Sequence, residues 1–216
     1  MLAVLTAAVA IAVPQPTYWA YVLQRTVAHA DASATAAAVG LVRGVTPEGE
    51  TNLVIAHEQR RDVNERLWVR VPLSALPNGR EGWVPRDALG DFHSVRTHLV
   101  VDRARLRAYL LRDGRVIFTT PIGIGRPRWP TPAGEFYVRV RLRHFRDAMY
   151  GPVAFGTNAR SPQLTDWPKG GVVGIHGTDA PQLLPGRVSH GCIRMRNAAI
   201  SRLARLMPLG TPVSIR

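Results

Sequence analysis

The only cysteine of the chain, Cys192, stands in Ser189-His190-Gly191-Cys192-Ile193-Arg194-Met195, and sixteen positions before it His176 closes the run Val172-Val173-Gly174-Ile175. A single cysteine excludes an internal disulfide framework and the multi-cysteine metal motifs. Three roles remain for it: buried filler, a free reactive thiol, or one ligand of a mixed metal site. Acyl transfer by a thiol needs a sulfur nucleophile, a base that takes its proton, and donors for the tetrahedral oxyanion. Cys192 supplies the sulfur, and His176 carries a ring that titrates in the working range. Gly191 lets the backbone approach a reacting carbonyl, so the amides of Gly191 and Cys192 are the candidate oxyanion donors. The plainer alternatives are a Cys192 that only packs, a His176 satisfied within the core, and a His190 that only turns the chain. A zinc site made from His176, His190 and Cys192 lacks a fourth ligand and a catalytic carboxylate at a familiar spacing.

These residues need a rigid frame, and the second half of the chain reads as β-rich. The run 172–175 has the pattern of a buried strand. Asp113-Gly114 divides the apolar runs of Leu106–Phe118 and predicts a tight hairpin. Gly123, Gly125, Pro127, Pro130 and Pro132 exclude regular helix or central strand between them. Phe136, Val138, Val140 and Leu142 alternate with Tyr137, Arg139, Arg141 and Arg143, which predicts a strand with an apolar face and a solvated arginine ladder. Asn197 is placed to cap a helix over Ala198–Met207, whose Ile200, Leu203 and Met207 recur at helical spacing before Pro208 and Gly210.

The segment IHGTDAPQLLPGRVSHGCIRM, residues 175–195, resembles the signature of the L,D-transpeptidase catalytic domain of the YkuD type. HLVVDRARLRAYLLRDGRVIFTTPIGIG upstream, TPAGEFYV at 131–138 and YGPVAFG at 150–156 agree with it, so the likeness covers roughly residues 97–216. The resemblance implies a mostly β chain with a β-sandwich-like catalytic domain and a short C-terminal helix. It implies cleavage of a peptidoglycan stem peptide after its third residue, a diamino acid, with the carbonyl captured on Cys192 and passed to the side-chain amine of a second stem. His176 then is the base, and Ser189, His190 and Gly191 build the turn that presents the thiol. Arg194, Gly177, Thr178 and Tyr150 fall on the substrate side. No cofactor and no metal are implied. Some relatives carry Asn at the position of Arg194 and Ser at that of Gly177, which leaves the group that orients the histidine unassigned. Two rival readings are an L,D-carboxypeptidase using the same cysteine and a non-catalytic wall-binding protein.

The first half reads differently. The apolar run 2–13 is short for a membrane span but suits the core of a signal peptide or anchor, giving a leader over 1–30, a linker over 31–40 and export out of the cytoplasm. From residue 41 to 92 short β-like runs alternate with turns, and LWVRVPLSALPNGREGWVPRDAL, residues 67–89, resembles a bacterial SH3-like β-barrel module. Trp68 and Trp83 read either as a wall-binding groove or as the core of a small β module. Residues 1–100 carry nine basic and nine acidic residues, and residues 101–216 carry nineteen and six, so the formal net charge of +13 resides in the second half. Such a surface suits anionic cell-wall polymers. No helix-turn-helix, zinc-finger or stacking motif supports nucleic-acid binding. Membrane contact is expected only through an uncleaved N-terminal segment.

Overall fold

A computed structural model describes residues 15–143, 148–161, 163 and 171–216. The apolar run 2–13 lies outside them. Eight strands make the N-terminal module: β1 (Thr17–Val22), β2 (Thr26–His29), β3 (Ala38–Val42), β4 (Leu53–Ala56), β5 (Glu58–Arg61), β6 (Leu67–Pro72), β7 (Glu81–Pro85) and β8 (Leu89–Val95). They form two sheets, in the orders β4-β1-β8 and β3-β2-β7-β6-β5. Strands therefore occupy much of the stretch expected to be leader and linker. Some of the small residues in these strands are held at close packing distances. A Cβ added at Gly82 of β7 would stand 2.8 Å from the Ala28 Cβ of β2, and one at Gly40 of β3 2.9 Å from Leu73 Cδ1. Trp68 and Trp83 are buried with Ala32. Trp68 Nε1 donates to Asp62 Oδ2 at 3.0 Å, and Arg60 lies 4.4 Å over the Trp83 ring. The pair is core capped by polar groups, not an open groove.

The remaining strands are β9 (Thr97–Asp102), β10 (Arg107–Arg112), β11 (Arg115–Pro121), β12 (Gly123–Gly125), β13 (Gly134–Arg143), β14 (Val153–Arg160), β15 (Val172–His176), β16 (Gly186–Ser189), β17 (Ile193–Arg194) and β18 (Pro212–Ile215). They form one ten-stranded sheet in the order β11-β10-β9-β18-β13-β14-β15-β17-β12-β16. Leu99 and Leu110 from one end share a core with Phe155, Ile175 and Ile193 from the other, so the sheet curls on itself in a sandwich-like way. Asp113 and Gly114 sit at φ 50° and 76° in the expected β10–β11 turn. The helix α1 (Asn197–Leu206) buries Ile200 and Leu203 against this core.

Two expectations change here. The arginine face of β13 is only partly solvated: Arg139 is 3% exposed and Tyr137 2%, because the N-terminal module covers this stretch from the second side. Arg141 instead donates to the Ala204 carbonyl near the C-terminal end of α1 at 3.1 Å, where a cation complements the helix dipole. The N-cap of α1 is Arg196, without a side-chain capping bond, and the Asn197 side chain is used elsewhere.

Candidate active site

Parallel pairing of β15 with β17 matches Ile175 with Ile193 and His176 with Arg194. Side chains alternate along each strand, so Gly174 and His176 share a face with Cys192 and Arg194. The thiol therefore lies on the face of β15 that carries the imidazole. It lies over β15, where the Gly174 amide donates to Cys192 Sγ at 3.4 Å, and Gly174 has no side chain to obstruct it.

His176 is 2% exposed. Its Nδ1 lies 2.7 Å from the Gly177 carbonyl oxygen. A carbonyl can only accept, so Nδ1 carries the proton in this hydrogen bond, and the Met149 backbone is a second group that bonds the ring. The orienting groups left open by the sequence therefore include a backbone atom of the next residue. Burial pushes the ring's pKa down to about 4, and the Arg194 guanidinium pushes the same way, against the backbone of Gly177 and Met149 and the Asp179 carboxylate. The imidazole is thus neutral near pH 7. The Tyr150 ring packs on it at 5.1 Å and 60°.

The turn that carries the cysteine is stapled from two sides. Ser189, 1% exposed, donates through Oγ to the Cys192 carbonyl at 2.6 Å and accepts from the Gly191 amide at 3.1 Å. Thr131 Oγ1 accepts from the Gly125 amide at 2.9 Å and donates to the Gly191 carbonyl at 2.8 Å. Gly191 itself needs φ 128°, open to glycine and strained for other residues. The Gly191 amide, one of the two expected oxyanion donors, is thus engaged by Ser189. His190 packs edge-on against Trp129 at 4.4 Å. Among the described residues no group of three or more His, Cys, Asp or Glu is gathered as a metal site.

The expected substrate-side residues separate into two kinds. Gly177 and Thr178 are buried and positional: the Gly177 amide donates to the Tyr150 carbonyl at 2.9 Å, and the Thr178 amide donates to Asn197 Oδ1 at 2.9 Å. A Cβ at Gly177 would stand 2.9 Å from the Gly151 Cα and collide with Asn197 Oδ1. Arg194 is the chemically available one, partly exposed, with its Nε buried and without a hydrogen-bond partner. Thr131, Asn197 and Trp129 were not singled out from sequence for the site. Only Thr131 stood in a motif, at the start of TPAGEFYV.

A thiol on the same face as a neutral, carbonyl-bonded imidazole on a curled β scaffold suits a cysteine-dependent acyl-transfer enzyme. Residues 96–215 match the model of the YkuD family, the L,D-transpeptidase catalytic domain, and the chain belongs to this family. A Bacillus subtilis protein described as the YkuD L,D-transpeptidase is 33% identical over 169 residues, covering 78% of this chain and 94% of its own. The Escherichia coli protein described as the L,D-transpeptidase YbiS is 31% identical over 139 residues, covering 56% of this chain and 44% of its own. Among solved structures, an Enterococcus faecium L,D-transpeptidase superposes with a TM-score of 0.45 at 28% identity, covering 56% of this chain and 50% of that one.

Proposed function

We propose that Cys192 is the nucleophile and His176 the base of this peptidoglycan L,D-transpeptidase. The observation that supports the assignment is the register of β15 and β17, in which Cys192, just before β17, shares the face of His176 and its Sγ accepts from the Gly174 amide. As Sγ attacks the stem-peptide carbonyl, the His176 ring takes the thiol proton and the oxyanion forms against the Cys192 amide. The C–N bond to the fourth residue then breaks, and the leaving amine takes the proton from His176. An incoming side-chain amine attacks the thioester, gives its proton to His176, and releases Cys192 as the thiol once more. The neighbouring Arg194 guanidinium makes the imidazolium short-lived, which favours prompt return of the proton. The same guanidinium suits a substrate carboxylate through its fixed fork of donors.

A peptidoglycan substrate supports a location outside the cytoplasm; separately, no helix among the described residues is long and apolar enough to cross a membrane. The N-terminal strands supply an SH3-like companion module in this reading. Intact mass after incubation with a disaccharide-tetrapeptide tests the assignment. The wild type is expected to gain an acyl adduct that loses the terminal residue, and Cys192→Ala to gain none. An unmodified wild type that turns over the substrate, or an adduct on the variant, sinks it. Muropeptide products consisting only of trimmed monomers would overturn transfer in favour of hydrolysis.

A further inference from the structure

The loop of residues 126–130 leaves β12 where Gly125 pairs with Ser189 of β16, and it lies against the turn that presents Cys192. Its path is tightly set. The Arg126 amide donates to the Ser189 carbonyl at 3.0 Å, and the Trp129 amide closes a turn onto the Arg126 carbonyl at 2.9 Å. A Cβ at Gly125 would collide with the Trp129 carbonyl oxygen and stand 2.6 Å from the Thr131 amide nitrogen, so the loop folds back over a glycine that leaves it room. The side chain this turn delivers to the cysteine side is Trp129, half-buried, with His190 edge-on at 4.4 Å between ring centroids. The Arg128 guanidinium stands 5.1 Å from the centroid of the same indole. Both contacts are attractive, since the positive rim of one ring meets the negative face of the other and a cation is drawn to that face.

One loop thus touches three successive residues of the cysteine turn: Arg126 meets Ser189, Trp129 meets His190, and Thr131 meets Gly191. The first and third contacts end on backbone carbonyls, whereas that of Trp129 joins two side chains. His190 is separated from Cys192 only by Gly191, whose φ of 128° lies where glycine alone moves freely. A turn hinged on such a residue has many accessible paths unless it is held from outside, and the His190 ring is the handle by which Trp129 holds it. Restricting that turn narrows the directions in which the thiol can point, and a thiol already aimed at the carbonyl reacts faster without binding its substrate more tightly.

We propose that Trp129 is a positioning residue for Cys192, acting through His190 on the acylation step; this rests on Cys192 being the nucleophile. The test is the time course of acyl-adduct formation on the full chain, followed by intact mass over a range of disaccharide-tetrapeptide concentrations. In Trp129→Ala the limiting acylation rate should fall roughly five- to tenfold, the worth of one ring pair, with the half-saturating concentration within about twofold of the wild type. Trp129→Leu, which keeps apolar bulk without a ring, carries the same expectation where the alanine variant does not fold. Trp129→Phe restores an aromatic edge and should return the rate to within about threefold of the wild type. His190→Ala should slow acylation as well, and adding it to Trp129→Ala should cost nothing further, because the two side chains act as one contact. A raised half-saturating concentration at an unchanged limiting rate would make Trp129 a substrate contact and overturn the proposal. A phenylalanine variant no faster than the leucine one, or losses that simply multiply in the double variant, would overturn it too. A wild type that gains no adduct removes the nucleophile and this proposal together, whereas an acylating wild type matched by Trp129→Leu removes this proposal alone.

Discussion

His176 is neutral for two reasons that act together, burial and the adjacent Arg194 guanidinium, and each has its own measurable consequence. The folded ring titrates at about 4 and an unfolded histidine near 6.5, so between these values the unfolded chain binds a proton that the folded chain does not. Stability therefore falls as pH drops through this window and is insensitive to this group above it. The full loss is on the order of 3 kcal/mol. Denaturant unfolding from pH 4 to 8 should show that slope in the wild type and lose it in His176→Gln. Removing the repulsive neighbour has the opposite sign: in Arg194→Gln the His176 titration should move up toward its ordinary value. NMR of the ring would follow it directly, and a downward or absent shift would refute the role given to the guanidinium. Gly177 shows how little room the base has. Gly177→Ser forces a Cβ into Gly151 and Asn197, so acylation should fall. The mass-adduct assay on that variant checks this.

The elements that hold these side chains act as paired edges and a staple. β15 and β17 are short, and their register carries Cys192, just before β17, onto the face that holds His176; a slip by one residue would send the two to opposite faces. The cysteine turn resists such a slip through the Ser189 and Thr131 hydroxyls, which tie it to its own ends and to the β12 loop. Thr131→Val keeps the shape but leaves the Gly125 amide and the Gly191 carbonyl unsatisfied, at a cost of about 2–4 kcal/mol. Misplacement of the thiol should lower kcat/KM roughly a hundredfold while the β core still folds. Equilibrium unfolding beside steady-state kinetics separates the two effects, and unaltered kinetics would show the staple to be incidental. The hairpin at Asp113-Gly114 and the apolar stripe of α1 were legible because local φ preferences and helical spacing dictate them. Asn197 was expected as a cap and instead holds the Thr178 amide, a choice made by what the turn after β15 brings within reach.

At the scale of the whole molecule the two modules share an interface as well as a chain. Trp19, Leu53, Ile55 and Val95 pack on Tyr137 of β13, and Tyr137 Oη donates to the Leu53 carbonyl at 3.3 Å. Burial pushes the Tyr137 hydroxyl up to about 12. Trp19 stacks on His93 at 4.4 Å and presses against Gly210, where the chain enters β18. Calorimetry of the full chain should accordingly give one cooperative transition. A fragment starting at residue 96 exposes Tyr137 and Arg139 and should melt several degrees lower, as expected when large apolar side chains lose their cover. Equal melting of fragment and full chain would mean that the interface adds nothing to stability.

The amino-acid sequence by itself marked Cys192 and His176 as the candidate pair and determined the family and the β-rich frame, because side-chain identity, spacing and alternation are local properties written residue by residue. Only the tertiary structure decided the rest. The Gly177 carbonyl that orients His176 and the Gly191 amide taken by Ser189 are backbone groups, present at every position and marked by no residue type. The strands of residues 17–42 and the burial of Arg139 depend on what packs against a second face. An alternating pattern shows that a face is polar, but not whether water or another module will cover it.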